Sequence, residues 1–317
     1  MHMRPAAAMH RSISLRARAR ATAIAAAATG VLAVALGIAG CTHGRIAQPD
    51  ACRSRDIPDA DIVARVPFEL VDGRIYVQAR VNGQGPYRFA IDTGASGMAR
   101  ADAKLVSALK LPVQGSATNS DGINTATTDT VRIDTLQLGG LARNGVEAIT
   151  RDYRSHSTPQ AAFDGILARE FFADGLLVVD YPTRILTFTR KESVSPGDRN
   201  ALAYQRAFRV PVSIGTLQTE GNIDTGADIA FVVPKALYDR LHGGPLQAAG
   251  RGDMANGKVD SWRATVPGPI RIGDAAFANA EVRVVDGYPE LLVGAYALRQ
   301  STLLIDQRSM RIAVCPH

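Results

Sequence analysis

The chain of 317 residues is nearly balanced in charge once its first 40 residues are set aside. Over the full length, 36 Lys and Arg residues stand against 30 Asp and Glu residues, a net charge of +6. Five of the arginines lie in the first 40 residues, which contain no acidic residue, so residues 41–317 carry 31 basic and 30 acidic side chains. This balance excludes the basic body that a nucleic-acid-binding protein needs, and we predict no nucleic-acid partner.

The N-terminal segment has the order of an export signal. The uncharged stretch Ala21–Ala39 follows the five arginines and leads into IAGC at Ile38–Cys41. A basic region, an apolar region and small residues before a cleavage point are typical of a secretory signal, here over residues 1–40. The order aliphatic, small, small, cysteine resembles the bacterial lipobox, which implies that Cys41 becomes a lipidated N-terminus. An uncleaved anchor helix is the alternative, because the uncharged stretch is nearly long enough to span a bilayer.

Lipidation at Cys41 predicts a protein of the cell envelope that is held on a membrane by its lipid anchor. Thr42 follows the cysteine in place of an aspartate, which favours the outer membrane, facing the periplasm. Residues 41–65, which include Pro49 and Pro58, are then expected to act as a tether that holds the folded part clear of the membrane.

The other cysteines and the histidines do not form a metal-binding pattern in the sequence. Cys52 and Cys315 lie at the two ends of the mature chain, and in an oxidising compartment they form either a disulfide or two unrelated thiols. The six histidines are scattered, without the spacing of metal ligands. We therefore predict no metal and no cofactor.

The predicted elements, in chain order, are mainly short strands. Residues Gly73–Val81 alternate apolar and polar side chains, turn at Asn82–Pro86 and return through a second strand. Residues Leu176–Phe188 predict two apolar strands around a Tyr-Pro turn. Helices are predicted only at Ala101–Leu109 and Pro234–Leu241. Short strands with regular turns indicate an all-β fold.

An internal repeat organises this all-β chain. FAIDTGAS at Phe89–Ser96 and GNIDTGAD at Gly221–Asp228 share Ile-Asp-Thr-Gly-Ala, and their aspartates lie 132 residues apart. Three further pairs of landmarks follow in the same order: Leu136–Gly140 with Ile270–Asp274, Asp164–Ala168 with Glu290–Gly294, and Asp180 with Asp306. The repeat predicts two homologous lobes, 66–192 and 206–317, joined by a linker over 193–205.

The repeated motif resembles that of the aspartic peptidase superfamily. The resemblance rests on the two IDTGA segments and on the later hydrophobic-hydrophobic-Gly element of each half. Alanine after each Asp-Thr-Gly is similar to retroviral-type peptidases and their bacterial relatives, whereas two lobes in one chain are similar to pepsins. The resemblance implies a bilobal all-β fold with β-barrel-like lobes, an active site between them and a monomer.

The two aspartates have the chemistry for metal-free amide hydrolysis. Two facing carboxyl groups share one proton, so one can activate water while the other polarises the substrate carbonyl. The resemblance assigns this dyad to Asp92 and Asp224 and implies supporting roles for the residues around them. The threonines would bond across the lobes, the glycines would let the chain turn, and the last pair would contact substrate: Thr93 and Thr225, Gly94 and Gly226, Ser96 and Asp228.

The first half departs from the family pattern at Ser96, which stands where the second half has Asp228, and at Ala168. Ala168 stands where the second half has Gly294, and the added methyl group either fits behind the active loop or shifts Asp92. The segments expected as flaps, 116–130 and 250–262, contain no evident flap tyrosine, and Trp262 is expected to pack rather than to contact substrate.

Two functional hypotheses follow from the motifs and their departures. The first is an aspartic endopeptidase of the bacterial cell envelope that acts as a monomer on extended polypeptide segments. The alternative is an inactive peptidase-like lipoprotein that binds or acts as a scaffold. Both Asp-Thr-Gly triplets are present, which favours the enzyme.

Alanine at positions 95 and 227 predicts activity nearer neutral pH than in pepsin. A hydroxyl at these positions can donate to a catalytic carboxylate and lower its pKa, and alanine removes that donor. The measurement is a pH–rate profile on a denatured protein substrate. An optimum below about pH 3.5, near the ordinary pKa of Asp, would contradict the prediction.

Overall fold

The structure, a computed structural model, describes residues 48–53, 57–206, 208–254 and 256–317. The predicted signal over 1–40 and the predicted lipidation site Cys41 lie outside the described residues. Among the described residues, no helix has both the length and the apolar character needed to cross a membrane.

Strands dominate both halves of the described chain. The strands of the first half are β1 (Ile62–Pro67), β2 (Glu69–Val71), β3 (Arg74–Val81), β4 (Gln84–Asp92), β5 (Ala99–Asp102), β6 (Val113–Ser120), β7 (Thr125–Leu138), β8 (Leu141–Arg151), β9 (Gly165–Ala168), β10 (Leu176–Asp180) and β11 (Ile185–Thr189). Those of the second half are β12 (Leu202–Ala203), β13 (Arg209–Ile214), β14 (Leu217–Asp224), β15 (Phe231–Pro234), β16 (Gln247–Met254), β17 (Gly257–Thr265), β18 (Ile270–Ile272), β19 (Ala275–Phe277), β20 (Glu281–Val285), β21 (Leu291–Gly294), β22 (Ser301–Asp306) and β23 (Arg311–Pro316).

Helices are short and few among the described residues. They are α1 (Ala103–Leu109), α2 (Lys235–Arg240) and α3 (Ala295–Leu298), with 3-10 turns at Asp59–Asp61, Arg154–His156 and Arg169–Phe172. The two predicted helices are therefore confirmed, each slightly shorter than expected. Helix α1 begins after Asp102, whose carboxylate accepts a hydrogen bond from the Lys104 N–H at 2.9 Å and so caps the helix.

The strands form three sheets, and two of them repeat one topology. The sheet of the first half has the order β2-β3-β4-β9-β5-β8-β7-β6, with β3 also pairing with β7. The sheet of the second half has the order β16-β17-β20-β15-β21-β14-β13-β18-β19. In each, the strand that ends in the motif aspartate pairs in parallel with a later strand, β4 with β9 and β14 with β21. The two halves are therefore homologous lobes, and the predicted all-β bilobal fold is confirmed.

A third sheet joins the lobes. Its order is β1-β11-β10-β22-β23-β12, so three strands of the first half stand beside three strands of the second half. At its centre β10 pairs with β22, and Leu177 lies opposite Ile305. Both side chains are buried in one continuous hydrophobic core that contains residues of both lobes. Burial of this shared apolar surface holds the lobes to each other over a wide area.

The turn between β3 and β4 has the backbone conformation that a tight hairpin needs. The hairpin between β3 and β4 turns at Asn82 and Gly83, which have φ values of +50° and +75°. Two successive residues with positive φ match the right-handed twist of a two-residue hairpin, and Asn-Gly adopts them at low cost. The sequence predicted a turn here, over Asn82–Pro86.

The segment before the first lobe packs on the folded body in its described part. The Ala51 N–H donates to the Arg199 carbonyl at 2.9 Å, and the Arg199 N–H donates to the Pro49 carbonyl at 2.8 Å. Strand β1 begins at Ile62 and pairs with β11. Residues 48–53 and 57–65 therefore belong to the folded unit, although the sequence predicts a tether over 41–65. The Pro residues that suggested a spacer do not prevent these backbone pairings.

A disulfide closes the folded unit. Cys52 and Cys315 are bonded, with their Cα atoms 5.2 Å apart and a sequence separation of 263. Cys315 and Ala51 lie in a small apolar cluster with Leu176 and Leu304 of the shared sheet. The bond therefore connects the first described segment to the last strand. Of the two alternatives for these cysteines, a disulfide and two unrelated thiols, the structure has the disulfide.

Loss of this disulfide is expected to lower stability. The double substitution Cys52→Ser and Cys315→Ser should reduce the free energy of unfolding by about 4–5 kcal/mol, because closing so long a loop removes conformational entropy from the unfolded chain. Denaturant unfolding with and without reductant measures the loss. The double variant is the control, since reductant should not change its stability. Equal stability of wild type and double variant would contradict the prediction.

Candidate active site

The two motif aspartates stand at the ends of rigid central strands. Strand β4 ends at Asp92 and β14 ends at Asp224, directly after Ile91 and Ile223, which are fully buried in the core. Parallel pairing with the later strands brings Asp92 opposite Ala168 and Asp224 opposite Gly294. Each aspartate is thus held in place by the sheet of its own lobe.

Four hydrogen bonds cross between the lobes at the threonines of the motifs. The Thr93 hydroxyl donates to the Ile223 carbonyl at 2.9 Å and accepts from the Thr225 N–H at 3.0 Å. The Thr225 hydroxyl donates to the Ile91 carbonyl at 2.8 Å and accepts from the Thr93 N–H at 3.2 Å. Both threonines are buried, so these bonds are shielded from water. They hold the two turns in one fixed relation.

The carboxyl groups lie against the glycines of the opposite turns. A Cβ atom on Gly94 would stand 2.5 Å from the Asp224 Oδ2 atom, and one on Gly226 would stand 2.3 Å from the Asp92 Cγ atom. Only glycine leaves room for this approach. The Ala95 N–H donates to Asp92 Oδ1 at 2.9 Å, and the Gly226 N–H donates to Asp224 Oδ1 at 2.8 Å. The structure therefore brings together the two aspartates, two threonines and two glycines that the motif singled out.

The position of Asp224 favours its protonated form. Burial, followed by the charge of Asp92, raises the pKa of Asp224 to about 7. A hydrogen bond to the Asp92 carboxyl acts in the same direction, whereas the Gly226 N–H and the charge of Arg74 act to lower the pKa. Two close carboxyl groups in a site with little water resist double ionisation. The pair of carboxyl groups therefore retains one proton at pH values well above the ordinary pKa of Asp.

Asp228 and Ser96 occupy matching places but differ in their surroundings. Both side chains are exposed. Arg74, from β3 of the first lobe, places its Nη2 atom 3.5 Å from Asp228 Oδ1 and donates from Nε to the Gly226 carbonyl at 2.6 Å. Arg74 was not predicted, because strand alternation says only that it faces away from the core. The ion pair joins the lobes beside the dyad.

Ala168 takes the same backbone role as Gly294. The Ala168 N–H donates to the Met98 carbonyl at 3.0 Å, and the Gly294 N–H donates to the Ala230 carbonyl at 2.9 Å. Met98 and Ala230 stand at equal distances along the chain from their aspartates. Asp92 keeps its register opposite Ala168. The extra methyl group therefore fits behind the loop and does not shift Asp92.

The loops that follow the two Asp-Thr-Gly motifs take different paths, which makes room for alanine at position 168. A Cβ atom on Gly294 would stand 2.2 Å from the Ile229 carbonyl oxygen, so an alanine does not fit there. At the position equivalent to Ile229, the first lobe has Gly97 with φ of +80°. This left-handed backbone, which glycine adopts without cost, gives the first loop a different course beside Ala168.

The two hairpins expected as flaps meet at their tips. Hairpin β6–β7 carries Asn119, Asp121 and Asn124, and hairpin β16–β17 carries Asn256. The Asn256 N–H donates to Asp121 Oδ2 at 2.6 Å, and its side-chain amide donates to the carbonyls of Asn119 at 3.2 Å and Asn124 at 3.0 Å. Arg151 also donates to the side chains of Asn119 and Asn256. These bonds connect the tips of the two lobes.

Two tyrosines near the dyad come from connections rather than from the flaps. Tyr153 follows β8, and its N–H donates to the buried Asp102 carboxylate at 2.9 Å. Burial raises the pKa of Tyr153 to about 12, and the charge of Asp92 acts in the same direction. Burial and the charge of Asp224 raise the pKa of Tyr288. Their places in polar connections offered no pattern from which the sequence could predict them.

Trp262 lies on β17, partly buried, and packs against the main hydrophobic core, as expected. Across the described ranges, no group of three or more His, Cys, Asp or Glu side chains has an arrangement that could hold a metal ion.

Comparison with known families agrees with this geometry. The model of the aspartyl protease family matches residues 77–171 and 210–297. The first match runs through Asp92 and Ala168, and the second runs through Asp224 and Gly294. Together the matches cover more than half of the chain, which therefore belongs to the aspartyl protease family. A search of the curated proteins found no significant match.

The raised pKa of Asp224 predicts a pH-dependent effect of Asp224→Asn on stability. Because the folded protein favours the protonated carboxyl, the resulting stability is fully present below about pH 3.8 and is lost as the pH rises through about 7. Asn cannot ionise, so the variant should gain stability relative to wild type between about pH 4 and about pH 8. Thermal unfolding midpoints at several pH values measure the difference.

The matched control is Glu220→Gln, which removes an exposed carboxylate on β14 that makes no ion pair among the described residues. Its difference from wild type should not grow as the pH rises. A difference between Asp224→Asn and wild type that stays constant over the same pH range would show that burial does not favour the protonated form of Asp224.

Proposed function

We propose that this protein is an aspartic endopeptidase of the bacterial cell envelope, in which Asp92 and Asp224 activate water to hydrolyse peptide bonds. One observation carries the proposal: two carboxyl groups from homologous lobes face each other, locked by crossed threonine bonds. Membership of the aspartyl protease family supports the class of activity. The proposal needs no metal, because the pair can supply both a base and an acid.

The proposed first step uses the single proton that the pair retains. The ionised Asp92 carboxylate accepts a proton from a water molecule, whose oxygen attacks the carbonyl carbon of the scissile bond. Asp224 donates its proton to the carbonyl oxygen, consistent with its raised pKa. The product of this step is a neutral gem-diol, and the shared proton now resides on Asp92.

The proposed second step breaks the C–N bond. The proton on Asp92 passes to the amide nitrogen, which leaves as an amine, while Asp224 recovers a proton from one diol hydroxyl. The carboxylic acid product forms, and the pair returns to one ionised and one protonated carboxyl. The fixed turns keep both carboxyl groups in place through the cycle, so little reorganisation accompanies the charge transfer.

The proposed substrate class follows from the family and from the groups that the flaps and Asp228 offer. The flap hairpins and the exposed Asp228 offer backbone groups and a carboxylate to an extended polypeptide segment. Because the described flap tips are bonded to each other, we expect them to separate before a polypeptide is admitted. The chain carries both halves of the dyad, and we propose that it acts as a monomer.

The proposed location rests on sequence alone. The arginine-rich start, the apolar stretch and Cys41 support export and lipid anchoring, with Thr42 favouring the outer membrane on its periplasmic side. The disulfide between Cys52 and Cys315 is compatible with an oxidising compartment.

The proposal is tested by removing each carboxylate in turn. Asp92→Asn and Asp224→Asn should each reduce cleavage of a denatured protein by a factor on the order of 10²–10⁴, because each removes one partner of the acid–base pair. Product formation over pH 3–8 is measured by the appearance of new amino termini. Asp239→Asn, on the surface of α2, is the control and should cleave like wild type.

The alternative, an inactive binding or scaffold lipoprotein, makes a different prediction. Wild type and both active-site variants would then release no new amino termini at any pH tested. That outcome would also contradict the assignment of Asp92 and Asp224 as a catalytic pair.

A further inference from the structure

Arg100 shares a sheet face with the first catalytic aspartate. On β5, the neighbours Ala99 and Ala101 point into the core, so Arg100 points to the opposite face. It stands opposite Ile166 on β9, which in turn stands opposite Ala90 on β4. Asp92 lies two residues after Ala90 and therefore on the same face. The register thus places Arg100 in the first-lobe surface that continues from the dyad.

The Arg100 side chain is buried without a partner among the described residues. It is only 9% exposed, yet it makes no hydrogen bond or ion pair within the part of the chain that the structure describes. Its Nη1 atom lies 3.9 Å from the point where a Cβ atom on Gly97 would stand, as does Glu170 Oε2. Glu170 pairs instead with Arg169, at 3.7 Å. The guanidinium group is therefore largely buried, its donors are not used by the described residues, and they can bind a group from outside the chain.

The surroundings of Arg100 contain charged groups of both signs. Arg151, which contacts both flap tips, and Tyr153 lie within electrostatic range of the guanidinium group. Burial lowers the pKa of Arg100, while the charges of Asp92 and Glu170 act in the opposite direction. The nearby carboxylates therefore only partly offset the cost of burying this charge.

The second lobe has no counterpart of this charge. Val232 occupies the equivalent position, because it stands opposite Leu292 as Arg100 stands opposite Ile166. The two sides of the dyad consequently differ in polarity at the same place in the fold. A substrate that lies across both lobes meets an arginine on one side and a valine on the other.

We propose that Arg100 is a specificity-determining residue that binds a carboxylate of the substrate, so that the peptidase prefers Asp or Glu at one position on one side of the scissile bond. The guanidinium group can bind a carboxylate with two parallel hydrogen bonds. Gly97 has no side chain to fill the space beside it. The inference rests on the proposed function for the reaction that Arg100 serves.

The test compares matched peptides with purified full-length chain. Quenched fluorogenic peptides carry Glu, Gln or Lys at each position flanking the cleaved bond. Wild type should cleave the Glu peptide about 10- to 100-fold better, in kcat/KM, than the Gln peptide at one position. Arg100→Met should abolish this ratio, and Arg100→Lys should keep part of it. Arg80→Met, at an exposed arginine of β3, is the control and should keep the ratio.

A stability measurement separates substrate binding from a structural role. If Arg100 has no partner in the free protein, Arg100→Met should raise the thermal midpoint, because it removes an uncompensated buried charge. A lower midpoint together with an equal loss of cleavage for all peptides would overturn the proposal. So would a wild type without acidic preference at any position, or an Arg100→Met variant that keeps it.

A binding measurement keeps the test independent of cleavage. The Asp224→Asn variant should bind the Glu peptide more tightly than the Gln peptide in fluorescence polarisation, and adding Arg100→Met should remove the difference. Absence of cleavage by wild type, with this binding difference present, would contradict the peptidase function and still support the role of Arg100. Absence of the binding difference would overturn the role of Arg100.

Discussion

The crossed hydrogen bonds of Thr93 and Thr225 are the constraint on which the site depends. Each hydroxyl serves both as donor and as acceptor for the main chain around the other threonine, so neither turn can move alone. This arrangement presses each carboxyl group against the glycine of the opposite turn. The proximity of the carboxyl groups, and the raised pKa of Asp224, are consequences of that contact.

The lobes are held together at several places besides the threonines. The shared sheet buries apolar side chains from both halves, and the bond between Cys52 and Cys315 ties its last strand to the first described segment. The Arg74–Asp228 pair and the bonded flap tips add polar contacts across the cleft. A rigid base with polar, exposed contacts at the cleft suits a site whose geometry is fixed while its cover can move.

The two halves differ around a dyad in which both aspartates hold equivalent places. Ala168 and Gly97 in the first lobe stand against Gly294 and Ile229 in the second, and both pairs keep the aspartate in register. Arg100 stands against Val232 in the same way. A symmetric dimer of identical chains would repeat every such change on both sides, whereas two lobes in one chain can give the cleft two different sides.

Sequence alone determined the repeat, the all-β fold and the six residues at the centre of the site. Alternating strands, the Asn-Gly turn and the doubled Ile-Asp-Thr-Gly-Ala are local signals, which depend on residues close together in the chain. Tertiary structure decided the disulfide over its alternative, the packing of residues 48–53, the partner of Asp228 and the isolation of Arg100. These contacts join residues that are far apart in sequence, and their energies depend on distance and burial that only the assembled lobes define.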